Sequence, residues 1–475
     1  MNYEPISFWY IRTKAGALAL ALFVFIGLSG CRDADAPLLI EEGEQLPGGQ
    51  VSINDIGPNA FGHQAPGLTG LAELEFFVGN SFFNQNWVGS PASTTARDGL
   101  GPLFNARACS ACHFKDGRGR PPAHPGEKGA GLLLRIGYEE GGELIADPHY
   151  GLQLQDQAIG GVPVEANYVI NYVEETGYYA DGTAYHLRRP EYIIQNTEYG
   201  DFRSDLLISP RVANQVIGLG LLEAIPEEAL LSYEDPGDYD GDGVSGRANW
   251  VPEVATGKTV MGRFGWKANQ PDLRQQSAAA FIGDMGITTS IFPNDNCTST
   301  QMDCQAAPNG DDGEHEISND DLRKVVLYVS TLAVPVRRQY DQPEVIRGKR
   351  LFHNIGCTAC HVPTFKTGQH PTIDALSDQK IWPYTDLLLH DMGPGLADGM
   401  PDFEADGNEW RTPPLWGIGL FQTVSGHTNY LHDGRARNLA EAVLWHDGEA
   451  FNSREGFRKL SKSERDDLLA FLNSL

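Results

Sequence analysis

The sequence contains two similar stretches, Leu103-Phe-Asn-Ala-Arg-Ala-Cys-Ser-Ala-Cys-His113 and Leu351-Phe-His-Asn-Ile-Gly-Cys-Thr-Ala-Cys-His361. Each ends in Cys-x-x-Cys-His, the pattern of covalent c-type haem attachment. In this motif the cysteines form thioethers to the haem vinyl groups, and the adjacent histidine supplies a nitrogen ligand to the iron. The sequence therefore predicts two covalently bound haems, with these attachment and iron-ligand residues: Cys109, Cys112 and His113 for the first, and Cys357, Cys360 and His361 for the second.

Two other kinds of site also use paired cysteines. A structural zinc site needs four ligands brought together, whereas these two pairs lie in different halves of the chain. A thiol–disulfide centre does not need the histidine that follows each pair. Haem attachment therefore explains both motifs better than zinc or dithiol chemistry.

A second repeat lies downstream of each motif. The segments 318–332 and 461–475 both carry apolar residues at helical spacing, and both begin with a serine followed three residues later by an acidic residue. A haem motif at the start and an amphipathic helix at the end is the plan of a cytochrome c domain. The sequence thus predicts a mainly α fold with two cytochrome c-like domains, residues 71–335 and 340–475.

The first predicted domain contains a long insertion over about residues 121–252. Strand-like composition at 131–138 and 168–175, and a turn at 180–183 that leads into 184–188, indicate that the insertion is partly β. Residues 32–70 are rich in glycine and proline, which predicts an extended leader.

The N-terminus resembles a bacterial lipoprotein signal. Basic residues precede the apolar run 15–27, and Leu28-Ser-Gly-Cys31 follows it directly. We expect residues 1–31 to act as the signal peptide and Cys31 to be lipidated. Because Arg32 rather than Asp follows, the expected location is the periplasmic side of the outer membrane. The alternative is an ordinary secretory signal with an incidental cysteine.

The formal net charge is -27, from 36 Lys+Arg against 63 Asp+Glu. Nucleic acid is therefore not expected as a partner, because phosphate binding needs a basic surface. The charge is compatible with a basic electron-transfer partner, such as a cytochrome or a cupredoxin, although solubility alone is an alternative explanation. Outside the cytoplasm, Cys297 and Cys304 are expected to form a small disulfide rather than a reactive dithiol.

Asp238-Tyr-Asp-Gly-Asp-Gly-Val244 has the alternating carboxylates and the glycine of a calcium loop. The candidate ligands are the side chains of Asp238, Asp240 and Asp242 and the carbonyl of Val244. The twelfth position is Asn249, so the usual bidentate glutamate is missing. A solvated acidic turn is the alternative.

From about Gly70 to its end, the chain resembles the di-haem oxidoreductase family, whose members are described as peroxidases or thiol oxidoreductases. It is more distantly similar to the bacterial di-haem cytochrome c peroxidases. Besides the two haem motifs, the resemblance rests on these segments: Asp116-Gly-Arg-Gly-Arg-Pro-Pro122, Ile217-Gly-Leu-Gly-Leu-Leu-Glu-Ala-Ile225, Gly262-Arg-Phe-Gly-Trp-Lys-Ala268, Asp386-Leu-Leu-Leu-His-Asp-Met-Gly393, Tyr430-Leu-His-Asp-Gly434 and Glu441-Ala-Val-Leu-Trp-His446.

In the first domain, the resemblance places Trp266 and Gln276 at a tryptophan and a glutamine of the peroxidases, and Asp284 at a glutamate. It implies that Gln276 and Asp284 line the open face of the first haem. Such a carboxylate can move a proton between peroxide oxygens, and an amide can hold the peroxide by hydrogen bonds. Taken alone, Gln276 reads as a surface residue, Asp284 as a helix cap and Trp266 as core, although Trp266 can also lie between the haems.

In the second domain, the segment 430–446 aligns without gaps, and His446 stands where the peroxidases have a methionine ligand. This implies a second haem held by His361 and His446, and imidazole in place of a thioether lowers the reduction potential. His390 and Met392 are the competing ligands, and a surface role is the alternative for His446.

The resemblance implies an enzyme that reduces hydrogen peroxide at the first haem with electrons passed through the second. Two alternatives remain open. One is a non-enzymatic electron-transfer lipoprotein with two six-coordinate haems, and the other is an oxidase of a thiol or a protein substrate.

Overall fold

Residues 40–311 and 315–475 are described by the computed structural model of the chain. The predicted signal peptide, Cys31 and the start of the leader lie outside the described residues. Within them the helices are α1 (Leu71–Asn84), α2 (Cys109–Cys112), α3 (Leu219–Glu223), α4 (Glu227–Leu231), α5 (Leu273–Met285), α6 (Met302–Gln305), α7 (Asn319–Ser330), α8 (Pro343–Asn354), α9 (Phe421–Val424), α10 (Leu439–Trp445), α11 (Phe451–Lys459) and α12 (Lys462–Ser474).

The strands of the same residues have 2 to 12 residues and are scattered along the chain. They are β1 (Leu103–Phe104), β2 (Leu132–Glu140), β3 (Glu143–Ile145), β4 (Gln157–Ala158), β5 (Asn167–Tyr178), β6 (Ala184–Gln195), β7 (Leu207–Val212), β8 (Trp250–Glu253), β9 (Lys258–Met261), β10 (Phe365–Lys366), β11 (Lys380–Ile381), β12 (Leu389–Asp391) and β13 (Glu409–Arg411). The described residues are 28% helical and 18% strand, so the expectation of a mainly α fold stays a prediction.

The two predicted amphipathic helices are present as α7 and α12, and their serine caps are confirmed. Ser318 accepts a hydrogen bond from the amide of Asp321, and Ser461 forms a capping box with Glu464. Each helix packs against the helix before the haem motif of its own half, α1 against α7 and α8 against α12. Both pairs are close because a glycine allows it. A Cβ at Gly79 would lie 2.1 Å from the Lys324 oxygen, and one at Gly348 would lie 2.0 Å from the Asp467 oxygen.

The segment between the first motif and α3 contains the strands that the sequence predicts there. β2 lies between β3 and β7 in a three-stranded antiparallel sheet, and β5 pairs with β6 over their full length. In the β2–β7 register, Leu133 is opposite Arg211 and Arg135 is opposite Ser209. Because residues two apart point to one face of a sheet, these four side chains share a face.

The described part of the predicted leader is packed rather than extended. Val51 and Phe61 are buried, and Ile53 and Ala65 donate backbone hydrogen bonds to Val334 and Thr331. We call residues 41–65 the N-terminal segment. The prediction of an extended leader through residue 70 is therefore corrected for these residues, because glycine and proline prevented regular structure without preventing burial.

One large apolar cluster includes residues from both predicted domains, among them Phe76 and Leu332 with Trp416 and Phe471. Residues 40–475 form one compact unit, so the division at about residue 340 stays a prediction. A disulfide joins Cys297, which precedes α6, to Cys304, which lies within α6. No helix among the described residues is long and apolar enough to cross a bilayer.

Candidate haem centres

A first cavity of about 260 Å³ lies beside α2 and α5. Cys109, Cys112 and His113 line it, as do Gln276 and Asp284 of α5. The structure therefore brings together the first motif and both residues that the resemblance assigns to the open face of the haem. Gln276 and Asp284 both lie on α5, which is capped by Asp272 before its first residue and by the left-handed Gly286 after its last.

His113 is held in the form that binds iron. Its Nδ1 lies 2.6 Å from the carbonyl oxygen of Asn214, which fixes the proton on Nδ1 and leaves the Nε2 lone pair free. Burial lowers the pKa of His113, so the ring is neutral. Phe83 of α1 packs beside it, with ring centroids 6.0 Å apart.

Asp284 is a carboxyl group with a shifted pKa in the same cavity. Burial raises the pKa of Asp284 to about 6, although a hydrogen bond from Gln153 and the charge of Arg135 oppose the shift. The Gln153 amide donates to Oδ1 of Asp284 at 2.9 Å and also to the Gly283 oxygen. The side chain of Gln276 makes no hydrogen bond to any described residue and is free to bind a ligand.

A second cavity of about 180 Å³ contains the other motif. Cys357, Cys360 and His361 line it together with His446. The Nδ1 of His361 lies 2.9 Å from the Tyr384 oxygen, and that of His446 lies 2.7 Å from the Ala442 oxygen. Both rings therefore keep a free Nε2.

Electrostatics keep both of these imidazoles neutral. Burial lowers the pKa of His361 to about 4, and a positive charge on His446 would lower it further. Burial also lowers the pKa of His446. Two neutral imidazoles on the walls of one cavity are the arrangement that a bis-histidine haem needs.

His390, a competing ligand, lines the second cavity between two carboxylates. Its Nε2 lies 2.9 Å from Asp386 and its Nδ1 lies 2.7 Å from Glu449, so both ring nitrogens are engaged. Burial opposes a positive charge here, but the Asp386 carboxylate outweighs it and the pKa of His390 lies well above its usual value. Met392, the other competing ligand, lines the same cavity.

The two cavities share a wall. Trp266, Gln215, Arg411 and Pro414 line both of them. The indole of Trp266 is buried and donates to the Val212 oxygen at 2.7 Å, which fixes the ring. Trp266 thus lies between the candidate haem sites, as the sequence suggested for one of its two roles.

The thiols of both motifs are buried and uncharged. Burial raises the pKa of Cys109 and of Cys357 to about 12. All four cysteines are free, and each pair lies beside a neutral histidine on the wall of a largely apolar cavity. These residues fit a covalently attached haem.

Several residues at these sites were missed from the sequence. Gln153, Arg135 and Arg211 line the first cavity, and His432 lines the second, where its ring stacks on Trp410 at 3.8 Å. His432 lies within a segment that carries the family resemblance, which was the one signal for it. The other three belong to the partly β segment, where a single sequence gives no sign of which face meets a cavity.

The acidic loop brings together a different set of carboxylates from the one predicted to bind calcium. Asp238 and Asp240 converge with Asp235, which was not predicted, whereas Oδ1 of Asp242 accepts the amide hydrogen of Val244. Exposed acidic groups often converge without an ion, so calcium at this loop stays a prediction.

The chain also matches a known protein family. A family model described as "Di-haem oxidoreductase, putative peroxidase" matches residues 44–140 and 152–475. No curated protein sequence matches the chain significantly. A solved structure of hydrazine synthase from Kuenenia stuttgartiensis, pressurised with 20 bar xenon, covers 99% of this chain and 100% of its own at 14% identity, with a TM-score of 0.32. A TM-score this low carries no information on fold or activity.

Proposed function

This chain belongs to the di-haem oxidoreductase family, and we propose that it reduces hydrogen peroxide at the first cavity with electrons that pass through the second. Family membership makes it an oxidoreductase, but a family does not fix the reaction. The choice of peroxide therefore rests on what this chain places in each cavity.

The unequal supply of iron ligands carries the proposal. His113 is the one histidine among the described residues that line the first cavity, whereas His361 and His446 both line the second with a free Nε2. Met285 also lines the first cavity, but it belongs to an apolar cluster with Trp87 and Phe104. A haem on His113 would keep an open position for a small oxidant, and a haem on His361 would not.

Haem bound at His113 would supply the iron that coordinates peroxide and the electrons that cleave its O–O bond. Cleavage also needs a proton moved from the oxygen near the iron to the leaving oxygen. Asp284 is suited to this role because its pKa of about 6 lies close to neutral pH, so the carboxyl both accepts and returns a proton.

Two amides prepare the same wall. Gln153 binds one oxygen of Asp284 and leaves the other free for the proton transfer. Gln276 has donors and an acceptor without partners among the described residues, so it can orient peroxide without adding charge. Each turnover consumes two protons and two electrons and yields two water molecules. Asp284 relays a proton that peroxide already carries, so both consumed protons come from solvent.

A haem in the second cavity would store and deliver electrons. Trp266 lies in the wall between the two cavities. A net charge of -27 favours a basic cytochrome or cupredoxin as the electron donor. The proposed location is the periplasmic face of the outer membrane, with the chain anchored by a lipid on Cys31. The order of residues 1–32 supports this location.

The test is a low-temperature EPR spectrum of the purified holoprotein, poised with one haem reduced, followed by a peroxide turnover assay. A high-spin ferric signal with turnover supports the proposal. Low-spin ferric haem alone would contradict it and favour an electron-transfer lipoprotein. A high-spin haem without peroxide turnover would favour an oxidase of a thiol or a protein substrate.

A further inference from the structure

A pair of arginines lies in the first cavity without a full set of acceptors. Arg135 of β2 and Arg211 of β7 are diagonal neighbours in the register that pairs Leu133 with Arg211. They lie on the face of the sheet that also presents Leu133 to the cavity, and all three residues line it. The sheet thus brings two guanidinium groups to the wall that carries the first motif.

Arg211 is the better defined member of the pair. It is only 8% exposed, its Nε donates to Ser209 at 3.0 Å, and its Nη1 donates to Asp402 at 2.9 Å. Its Nη2 is buried and has no acceptor among the described residues. Since a buried charged donor is costly to leave unpaired, this nitrogen indicates a missing acceptor.

Arg135 adds a second free donor group. Its Nε donates to the Leu152 oxygen at 3.1 Å, and neither of its Nη groups bonds to a described residue. Burial and the charge of Arg211 lower the pKa of Arg135, and only the carboxylates of Asp402 and Asp284 act against this effect. Asp402 already binds Arg211, and Asp284 binds Gln153. The Nη groups of Arg135 and Nη2 of Arg211 thus bond to no described carboxylate and are open to an external anion.

We propose that Arg135 and Arg211 form a carboxylate-binding site whose ligand is a propionate of the haem attached at Cys109 and Cys112. The proposal rests on the haem that the proposed function places in this cavity, but not on peroxide as its substrate. Guanidinium forks bind carboxylates with two parallel hydrogen bonds, which fixes orientation as well as charge. The pair would set how the first haem is turned in its cavity.

Propionate binding by this pair also affects the reduction potential. Positive charge beside a haem disfavours the ferric state, which carries one more charge than the ferrous state. Removing a guanidinium should therefore lower the potential of the first haem and leave that of the second nearly unchanged. This is a property of the loaded protein that does not require turnover.

The experiment compares the full-length holoprotein with the variants Arg211→Gln, Arg135→Gln and Arg211→Lys. Arg189→Gln is the control, because Arg189 is exposed, lines neither cavity and pairs with Glu175 and Glu191. Haem content, the potential of each haem and the propionate bending band in resonance Raman spectra are measured. Should Arg211→Gln lose haem, Arg135→Gln and the charge-conserving Arg211→Lys still decide the matter.

The expected result is a fall in the first potential and a shift of the bending band to lower frequency in both glutamine variants, with neither change in Arg189→Gln. Arg211→Lys should keep most of the potential but lose the band position, since it keeps charge without the fork. Unchanged potential and band in loaded Arg135→Gln and Arg211→Gln would overturn the proposal. So would a saturable response of the wild-type haem spectrum to added succinate that Arg211→Gln abolishes, because the site would then serve a free carboxylate.

Discussion

The two cavities contain the same Cys-x-x-Cys-His motif but differ in the other residues that line them. The first joins His113 to carboxyl, amide and guanidinium groups, including Asp284, Gln276 and Arg211. The second joins His361 to another histidine and to aromatic rings such as Trp410. On the proposed function, the shared motif would attach each haem, and the other residues of each cavity would decide whether that haem reacts or carries electrons.

The largest expected effect comes from removing the carboxyl group of the first cavity. Asp284→Asn should lower peroxide turnover by about 10²- to 10⁴-fold, the usual contribution of a general acid–base group. Steady-state kinetics at equal haem content measure this. The control is Glu165→Gln, because Glu165 is also buried with a pKa raised to about 8 but lies outside both cavities. Equal turnover in wild type and Asp284→Asn would show that Asp284 does not take part in the reaction, and would contradict its proposed role.

The pH dependence of the wild-type enzyme tests the same wall more gently. Asp284 accepts a proton only when ionised, and its pKa is raised from 3.8 to about 6. The rate of reaction with peroxide should therefore stay level above about pH 6 and fall about tenfold per pH unit below it. Stopped-flow rates across pH 4 to 8 measure this. A profile that is flat through this range in wild type, or equally steep in Asp284→Asn, would contradict the assignment.

Replacing His446, the proposed second ligand of the second haem, should make the two cavities differ less in the ligands that they offer to iron. His446→Ala should convert the second haem to a high-spin form, and His446→Met should keep it low-spin with a higher reduction potential. EPR spectra and redox titrations detect both changes. His432→Gln is the matched control, since His432 lines the same cavity but stacks on Trp410. If the spin state changed only in His432→Gln, His432 rather than His446 would be the ligand.

The smallest expected effect concerns the shared wall. Trp266→Phe should slow electron transfer from the second haem to the first without stopping it, because a smaller ring still fills the wall between the cavities. Trp410→Phe should have less effect, since Trp410 lines only the second cavity. Rapid mixing of the half-reduced protein with peroxide measures the rate. Equal rates in both variants would show that the wall tryptophan is core packing alone.

Local patterns predicted the elements whose causes are local. The caps at Ser318 and Ser461 and the apolar spacing after them specify α7 and α12, which begin one residue after their caps. The strands β2, β5 and β6 follow from composition and an intervening turn. Among the site residues, Gln276 lines the same cavity as the first motif and His446 the same cavity as the second, while their roles at a haem stay predictions.

Contacts between distant residues were not predictable from one sequence. Gln153 reaches Asp284 across 131 positions, and Arg211 reaches Asp402 across 191. No periodicity encodes such pairs, because a strand pattern gives the face of a residue and not what covers that face. The N-terminal segment failed for a related reason, since its composition indicates irregular backbone but says nothing about burial.

The N-terminal segment has a consequence for the lifetime of the folded chain. Its Glu44 is buried and binds Lys349, which follows it by 305 positions, and its Glu41 binds the same lysine at 3.0 Å. Closing a loop of 305 residues costs chain entropy before the contact contributes, so we expect this contact to form late in folding. Interactions that form after the folding barrier slow unfolding rather than speed folding. The N-terminal segment should therefore slow unfolding of the chain without speeding its folding.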